Sequence, residues 1–358
     1  MKKFKPITLP DISQATVPMA YPSRRNQLPK AGVVLAADVG GTKTDFALFE
    51  IKDSNLISIK GQRFPTSDHQ SFVDALHQFH TDKSVKIDAA CLGVAGPVDG
   101  DKVRGVNFAW EIDANKLEKD LDISSIFLIN DLQANAYGLS SLQDDDFIII
   151  NEGEKNKGNA AIISPGTGLG EAGLYWDGSH YNPYATEGGH CNFSPVDELD
   201  LELWSFLMKE FGHVSWERVV SGQGIYNIYR FLRQKSSEKE PAWLSDEFEK
   251  EDPAIAISTA ALEKKDAVSS DTLKLFLKYL SIEAAQLALK TKATGGIYVG
   301  GGIAPKILDL IDKEVFNKNF INVGRMEHLL KEIPVKIVLN DQTALIGAAY
   351  YAAMGIPA

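Results

Sequence analysis

From residue 31 onward, short apolar runs alternate with amphipathic stretches. Val33 to Ala37 form an unbroken apolar run that ends in Asp38-Val39-Gly40-Gly41-Thr42-Lys43-Thr44 and resumes at Phe46-Ala47-Leu48-Phe49. This pattern predicts strand, polar glycine turn, strand. Further runs at 89–94, 126–129, 147–150, 160–163, 296–299 and 335–339 also predict strands, while 70–79, 132–139, 199–211, 272–289 and 343–353 predict helices. In the fourth of these helices Leu273, Phe276, Leu280, Ala284 and Leu287 recur at helical spacing. Several strands lead straight into helices, which is the signature of an α/β architecture. Residues 235–251 are polar and charged, carry Pro241, and predict a surface connection or insertion.

A faint internal echo links two of these segments. Leu128-Ile129-Asn130-Asp131-Leu132-Gln133-Ala134 and Val338-Leu339-Asn340-Asp341-Gln342-Thr343-Ala344 both read as strand, Asn-Asp, helix, as two similar halves would. The length of 358 residues agrees with about two domains at roughly 150 residues each. Residues 1–30 stand apart: Pro6, Pro10, Pro18, Pro22 and Pro29 accompany Lys2, Lys3, Lys5, Arg24, Arg25 and Lys30 against the single acid Asp11. They predict an extended or disordered arm, with a strap or a disordered tail as the plainer readings; a targeting segment is the alternative, but the run is neither clearly amphipathic nor dominated by Arg and Ser.

Composition narrows the function. Apolar residues at 44% and charged residues at 24% are ordinary for a globular chain and exclude collagen, coiled coil and wholesale disorder. Cys91 and Cys191 are too few for a disulfide framework or a Cys-rich zinc site, and no second Cys or His pair stands near His190-Cys191 at zinc spacing. A net charge of −11 argues against nonspecific nucleic-acid binding. No run approaches the roughly 18 to 20 apolar residues of a membrane span, and the first residues lack a secretory apolar core, so a cytoplasmic protein without membrane partners is expected.

Chemistry concentrates at glycine turns. In Asp38 to Thr44 an acid at a strand end precedes two glycines and two hydroxyls, a supply of amides and OH groups for a phosphate, with Asp38 able to hold magnesium through water. The spacing is not that of a P-loop. Ser164-Pro165-Gly166-Thr167-Gly168-Leu169-Gly170 is a second such turn; Gly168, Gly170 and Gly173 formally satisfy G-x-G-x-x-G, but Leu174-Tyr175-Trp176 continues as strand where a dinucleotide site would open a helix. Gly300-Gly301-Gly302 is a third, between a strand and a helical segment. Asn130-Asp131 lies where an α/β sheet presents ligands, and either residue could instead cap the following helix; Asp341 looks the same locally. Glu187-Gly188-Gly189-His190 places a carboxylate and an imidazole around two glycines, hence on a loop, where both can bind a polyol. Glu217 adds a further carboxylate.

In this order these stretches resemble the bacterial-type glucokinase family, over about residues 31–358. The resemblance is carried by Asp38-Val39-Gly40-Gly41-Thr42, Asn130-Asp131, Gly166 to Gly170, Glu187 to His190, Gly212-His213-Val214-Ser215, Glu217-Arg218-Val219-Val220-Ser221-Gly222 and Val299 to Ile303. It implies a two-domain ribonuclease H-like ATPase fold, as in actin and hexokinase, with an interdomain cleft. Residues 31–141 with 335–358 would form a small α/β domain, residues 142–334 a large one, and 1–30 an extension. The activity implied is phosphorylation of glucose at the 6-hydroxyl by ATP with Mg2+, in a homodimer. Asp131 would be the catalytic base and Asn130, Glu187, His190, Glu217, Gly96 and Asn107 would bind the sugar. Asp38, Gly40, Gly41, Thr42, Lys43, Thr167, Gly168, Gly300, Gly301 and Gly302 would bind the nucleotide. The family often has Asn where this chain has Lys43. The related repressor/kinase (ROK) sugar kinases share the first glycine turn but usually carry a zinc motif that two cysteines cannot build. Another hexose as substrate, or a sugar-sensing protein on the same fold, are the alternatives.

Overall fold

The apolar runs become the inner strands of two sheets. The structure, a computed structural model, describes residues 2–3, 7–10, 12, 15–22, 27–81, 85–104, 110–154 and 156–356. The chain divides into two units, one of Met1–Asp146, Leu174–Ala185 and Asn340–Ala358, the other of Phe147–Gly173 and Thr186–Leu339.

In the first unit the strands are β1 (Lys2–Lys3), β2 (Thr8–Leu9), β3 (Gly32–Val39), β4 (Lys43–Lys52), β5 (Asn55–Pro65), β6 (Ala89–Val94), β7 (Val98–Asp99), β8 (Lys102–Arg104), β9 (Glu111–Asp113) and β10 (Ile126–Asn130). The helices are α1 (Phe72–Phe79), α2 (Ala114–Leu121) and α3 (Asp131–Gly138). The main sheet runs β1-β5-β4-β3-β6-β10, with β2 also on β5. Strands β3, β4 and β5 form an antiparallel meander, whereas β3, β6 and β10 are parallel. Residues 34–37 and 89–94 are buried throughout, so the central strands have apolar cover on both faces, as their unbroken apolar runs require.

The second unit holds β11 (Phe147–Asn151), β12 (Ala160–Pro165), β13 (Leu169–Trp176), β14 (Tyr181–Thr186), β15 (Gly296–Val299) and β16 (Val335–Val338), in the order β11-β16-β15-β12-β13-β14. The far part of the β13–β14 hairpin, Leu174–Ala185, belongs to the first unit. Its helices are α4 (Glu198–Phe211), α5 (Gly222–Lys235), α6 (Ala242–Phe248), α7 (Pro253–Leu262), α8 (Ala267–Thr291), α9 (Lys313–Ile321) and α10 (Glu327–Glu332). The long α8 starts at Asp266, whose side chain accepts from the Ser269 amide at 2.7 Å, and it buries Leu273, Phe276, Leu280, Ala284 and Leu287. Each such large side chain removed from water contributes about 1.5–3 kcal/mol. The chain returns to the first unit as α11 (Thr343–Gly355), which packs on α3. There a Cβ on Gly347 would lie 1.8 Å from the Ala134 carbonyl oxygen, so only glycine lets the two backbones approach this closely.

The internal echo has a topological basis. The orders β5-β4-β3-β6-β10 and β14-β13-β12-β15-β16 correspond strand for strand, with β12, β15 and β16 parallel like β3, β6 and β10. Asn130-Asp131 follows the last parallel strand of one series, and Asn340-Asp341 follows that of the other.

The described parts of residues 1–30 follow the extended, strap-like alternative: β2 pairs with β5, Leu9, Ile12, Val17, Met19, Tyr21 and Leu28 are buried, and Tyr350 Oη donates to the Pro10 carbonyl at 2.6 Å. Apolar side chains spaced among the prolines anchor the segment as a strap. Strand β16 lies in the second unit because it pairs with β15 and β11, so the chain re-enters the first unit at Asn340, not at 335. Residues 235–251, expected as a surface connection or insertion, contain the short α6, which starts after Pro241 and buries Leu244.

Candidate active site

The parallel strands of the first unit end together. In the register of β3, β6 and β10, Asp38 pairs with Gly93, and Val94 lies between Val39 and Asn130. Asp38, the segment reaching Gly96, and Asn130-Asp131 therefore emerge at one edge of the sheet, the edge where α/β sheets bind ligands. The turn after Asp38 is closed by Gly40 N–H donating to the Lys43 carbonyl at 2.9 Å, and Thr66 Oγ1 donates to the Gly40 carbonyl at 2.7 Å. Thr42 and Lys43 are exposed, and Lys43 Nζ lies 4.0 Å from Asp45. Arg63 grips that same Asp45 with Nε and Nη2, each at 2.7 Å. Burial pushes the Asp38 carboxyl up to about 6, and the Asp45 carboxylate adds to this, while Lys43 and Arg63 oppose it.

Asn130 and Asp131 do different things. Asn130 is the N-cap of α3: its Oδ1 accepts from Leu132 N at 2.9 Å, and Gln133 Oε1 accepts from Asn130 N at 3.2 Å, completing a capping box. Its Nδ2 donates to the Gly96 carbonyl at 3.3 Å. With the cap supplied by Asn130, Asp131 is the first residue of the helix, half-buried, and its Oδ1 accepts from Leu132 N at 3.0 Å. At the matching place, Asn340 Oδ1 accepts from Gln342 N, and exposed Asp341 caps nothing, contrary to its expected role as a helix cap.

In the second unit, parallel β12 and β15 bring their glycine turns side by side, with Ile163 beside Val299. Gly300 N–H donates to the Ile163 carbonyl, Gly166 N–H to Gly168 and Gly222 N–H to Gly166, each at 2.8 Å. Thr167 and Gly302 are exposed on these turns, and Gly168 and Gly301 partly so. Nearby, Glu217 Oε2 accepts from Leu169 N at 2.9 Å. The segment bearing Glu187 and His190 is stitched to that bearing Glu217: Trp216 N–H donates to the Cys191 carbonyl at 3.0 Å and Phe193 N–H to the Val214 carbonyl at 2.9 Å. His190 Nε2 and Glu187 Oε2 are 3.9 Å apart on largely exposed side chains.

The first unit thus gathers Asp38, Gly40, Gly41, Thr42, Lys43, Gly96, Asn130 and Asp131, and the second gathers Thr167, Gly168, Glu187, His190, Glu217, Gly300, Gly301 and Gly302. Asn107 lies outside the described residues. Arg63 and Glu171 escaped notice in the sequence. Arg63 had no signal beyond being a charge in a strand, but Glu171 stands as a lone acid inside the apolar strand β13, and that was legible.

Among the described residues no three or more His, Cys, Asp or Glu assemble as a metal site. A single strand-end carboxylate fits magnesium nonetheless, because that ion keeps several waters and is held largely by nucleotide phosphates.

Parallel strands ending in glycine turns and acids, repeated in two sheets, define an actin-like ATPase fold of the sugar-kinase kind. Residues 35–354 match the family described as glucokinase, and the chain belongs to that family. It is 41% identical over 337 residues to a glucokinase of Nostoc punctiforme, covering 90% of this chain and 99% of that one. It is 37% identical to a glucokinase of a Synechocystis strain, covering 89% and 97%. Among solved structures, a glucokinase from an Antarctic psychrotroph superposes with a TM-score of 0.74 at 31% identity, covering 89% of this chain and 98% of that one. A Streptomyces griseus ROK family glucokinase, solved with glucose and AMPPNP, shares the fold at a TM-score of 0.63 and 22% identity, covering 90% and 100%. No helix among the described residues is long and apolar enough to cross a membrane.

Proposed function

We propose that this chain transfers the γ-phosphoryl group of ATP to the 6-hydroxyl of glucose, with Asp131 as general base. The reading rests on one observation above the rest: Asp131 stands in the first turn of α3, at the carboxyl end of β10 beside the ends of β3 and β6, where an α/β sheet presents its ligands. A sugar hydroxyl is a weak nucleophile near neutral pH, so a carboxylate within hydrogen-bond reach must accept its proton as the oxygen meets the γ-phosphorus in line. Asn130, Glu187, His190 and Glu217 orient the hydroxyls, with Gly96 held by Asn130. Amides of the turns at 40–42, 166–168 and 300–302 hold the nucleotide, and Lys43 adds a cation beside its phosphates. Asp38 would hold magnesium through water, and the ion would supply charge neutralisation for the transferring group. Family membership supports the glucose assignment.

The test is ADP release from ATP and magnesium across a panel of hexoses. The reading expects glucose-dependent ADP, with glucose first among the hexoses. ADP release that is indifferent to sugar would end it.

A further inference from the structure

Beneath the segment 187–190 lies a pair of buried carboxyls for which the proposed chemistry has no use. Glu171 on β13 is 2% exposed and Glu283 on α8 is 0% exposed. The charge of Glu171 acts on Glu283, so the two carboxyls are neighbours, and two acids bond to each other only when one carries a proton. Glu171 Oε1 and Glu283 Oε2 have no donor elsewhere among the described residues. Lys290, half exposed, reaches Glu283 Oε1 at 3.3 Å. One ammonium facing two buried carboxylates would leave a net negative charge in the interior; burial raises both pKa values above the usual carboxylate range, the Glu171 charge raises that of Glu283 further, and Lys290 opposes the rise in both.

The loop rests on Glu171, the first of the pair. A Cβ placed on Gly188 would lie 1.9 Å from Glu171 Oε2, and one on Gly189 would lie 2.2 Å from the Leu169 carbonyl oxygen. Thr186 Oγ1 donates to the Glu171 carbonyl at 3.0 Å and accepts from Gly188 N at 3.3 Å. The two glycines between Glu187 and His190 therefore lie directly on Leu169 and Glu171, and the carboxyl of Glu171 sets the height of Gly188.

We propose that Glu171, through a proton shared with Glu283, is a positioning residue that holds Glu187 and His190 in place for the sugar. The inference rests on the reading of those two residues as sugar ligands. Loss of the shared proton sets two anions against each other behind Gly188, and the displaced loop weakens sugar binding without touching the nucleotide turns. Neighbouring elements bring little other charge to the pair. Strand β12 and α7 have no ionisable side chain, and β15 has only Tyr298. On α5, Arg230 pairs with Glu210, Arg233 with Asp266 and Lys235 with Glu202, while Tyr226 and Tyr229 are uncharged. Lys313, Glu314 and Lys318 of α9 are exposed.

The experiment compares the parent with Glu283→Gln, which keeps a donor and cannot ionise. KM for glucose, KM for ATP and kcat are measured from about pH 6 to about pH 9.5, with glucose Kd by calorimetry. The parent should show glucose KM and Kd rising roughly five-fold or more toward the alkaline end while KM for ATP changes less than about two-fold, and Glu283→Gln should abolish the rise. A flat parent profile, or a rise that Glu283→Gln retains, overturns the proposal. If Glu283→Gln does not fold, Glu171→Gln carries the same expectation. Absence of turnover with glucose still bound would remove the kinase reading alone, since the Kd profile then tests the loop. Absence of glucose binding at every pH overturns both.

Discussion

Removing the Asn130 side chain tests how the edge bearing Asp131 is built. In Asn130→Ala two bonds go: the cap to Leu132 N at 2.9 Å and the tie from Nδ2 to the Gly96 carbonyl at 3.3 Å. A lost N-cap costs about 1 kcal/mol, and a longish bond to a carbonyl costs roughly 0.5–1 kcal/mol. Because Asn130 is buried, water does not replace its side chain, but Asp131 Oδ1 still accepts from Leu132 N at 3.0 Å, so about 1.5 kcal/mol is expected. With a urea m-value of about 3 kcal/mol/M, the unfolding midpoint of the first unit falls by ~0.5 M. Asn130→Ser isolates one contribution: its hydroxyl still caps but is too short for Gly96, so it should lose about half as much. Urea titration by circular dichroism, with glucose KM measured on the same samples, reads both effects. An alanine variant as stable as the parent, or a serine variant as damaged as the alanine one, would refute the division of labour assigned to Asn130.

Two further outcomes follow from the geometry. Gly347→Ala puts a methyl 1.8 Å from the Ala134 carbonyl oxygen, which must push α11 off α3; a loss of about 3 kcal/mol or more is expected, and a variant melting within a degree or two of the parent would show that the helices slide apart cheaply. Asp38 binds its proton more tightly folded, at about 6, than unfolded, so its contribution to stability is fully present below about pH 4 and is lost as pH rises through 6. Without nucleotide, Asp38→Asn should therefore melt above the parent at pH ~7.5, with the gap closing toward pH ~4, whereas magnesium nucleotide binding to the parent should weaken as pH falls below 6; equal melting temperatures for both proteins at all pH values would remove the buried-carboxyl argument.

How much could be read in advance depended on what each signal measures. The inner strands were legible because a strand buried on both faces needs an unbroken apolar run, as at residues 89–94 and 160–163. Helix α8 was legible for the complementary reason, a core-facing stripe at helical spacing, although its capped start at Asp266 was not. Helices α5 and α6 carry charges among their apolar positions and read as less regular than they are. For residues 1–30 composition left strap and tail both open, because prolines and lysines suit either; the few apolar side chains between them decide the packing of the described parts. The glycine turns and acids announced themselves because amides and carboxylates at strand ends have few other uses. The separation of Asn130 as cap from Asp131 as first helical residue could not be read, because either residue type caps equally well. Glu171 could be seen in the strand, but its partner Glu283 lies over a hundred residues away, and only the fold joins them.

The central claim concerns the carboxylate at position 131, and single-turnover phosphoryl transfer by Asp131→Asn tests it most directly. The account expects the rate of glucose 6-phosphate formation to fall by about 10²–10⁴, with glucose affinity changed no more than a few-fold. A variant that transfers phosphate at the parental rate would contradict it.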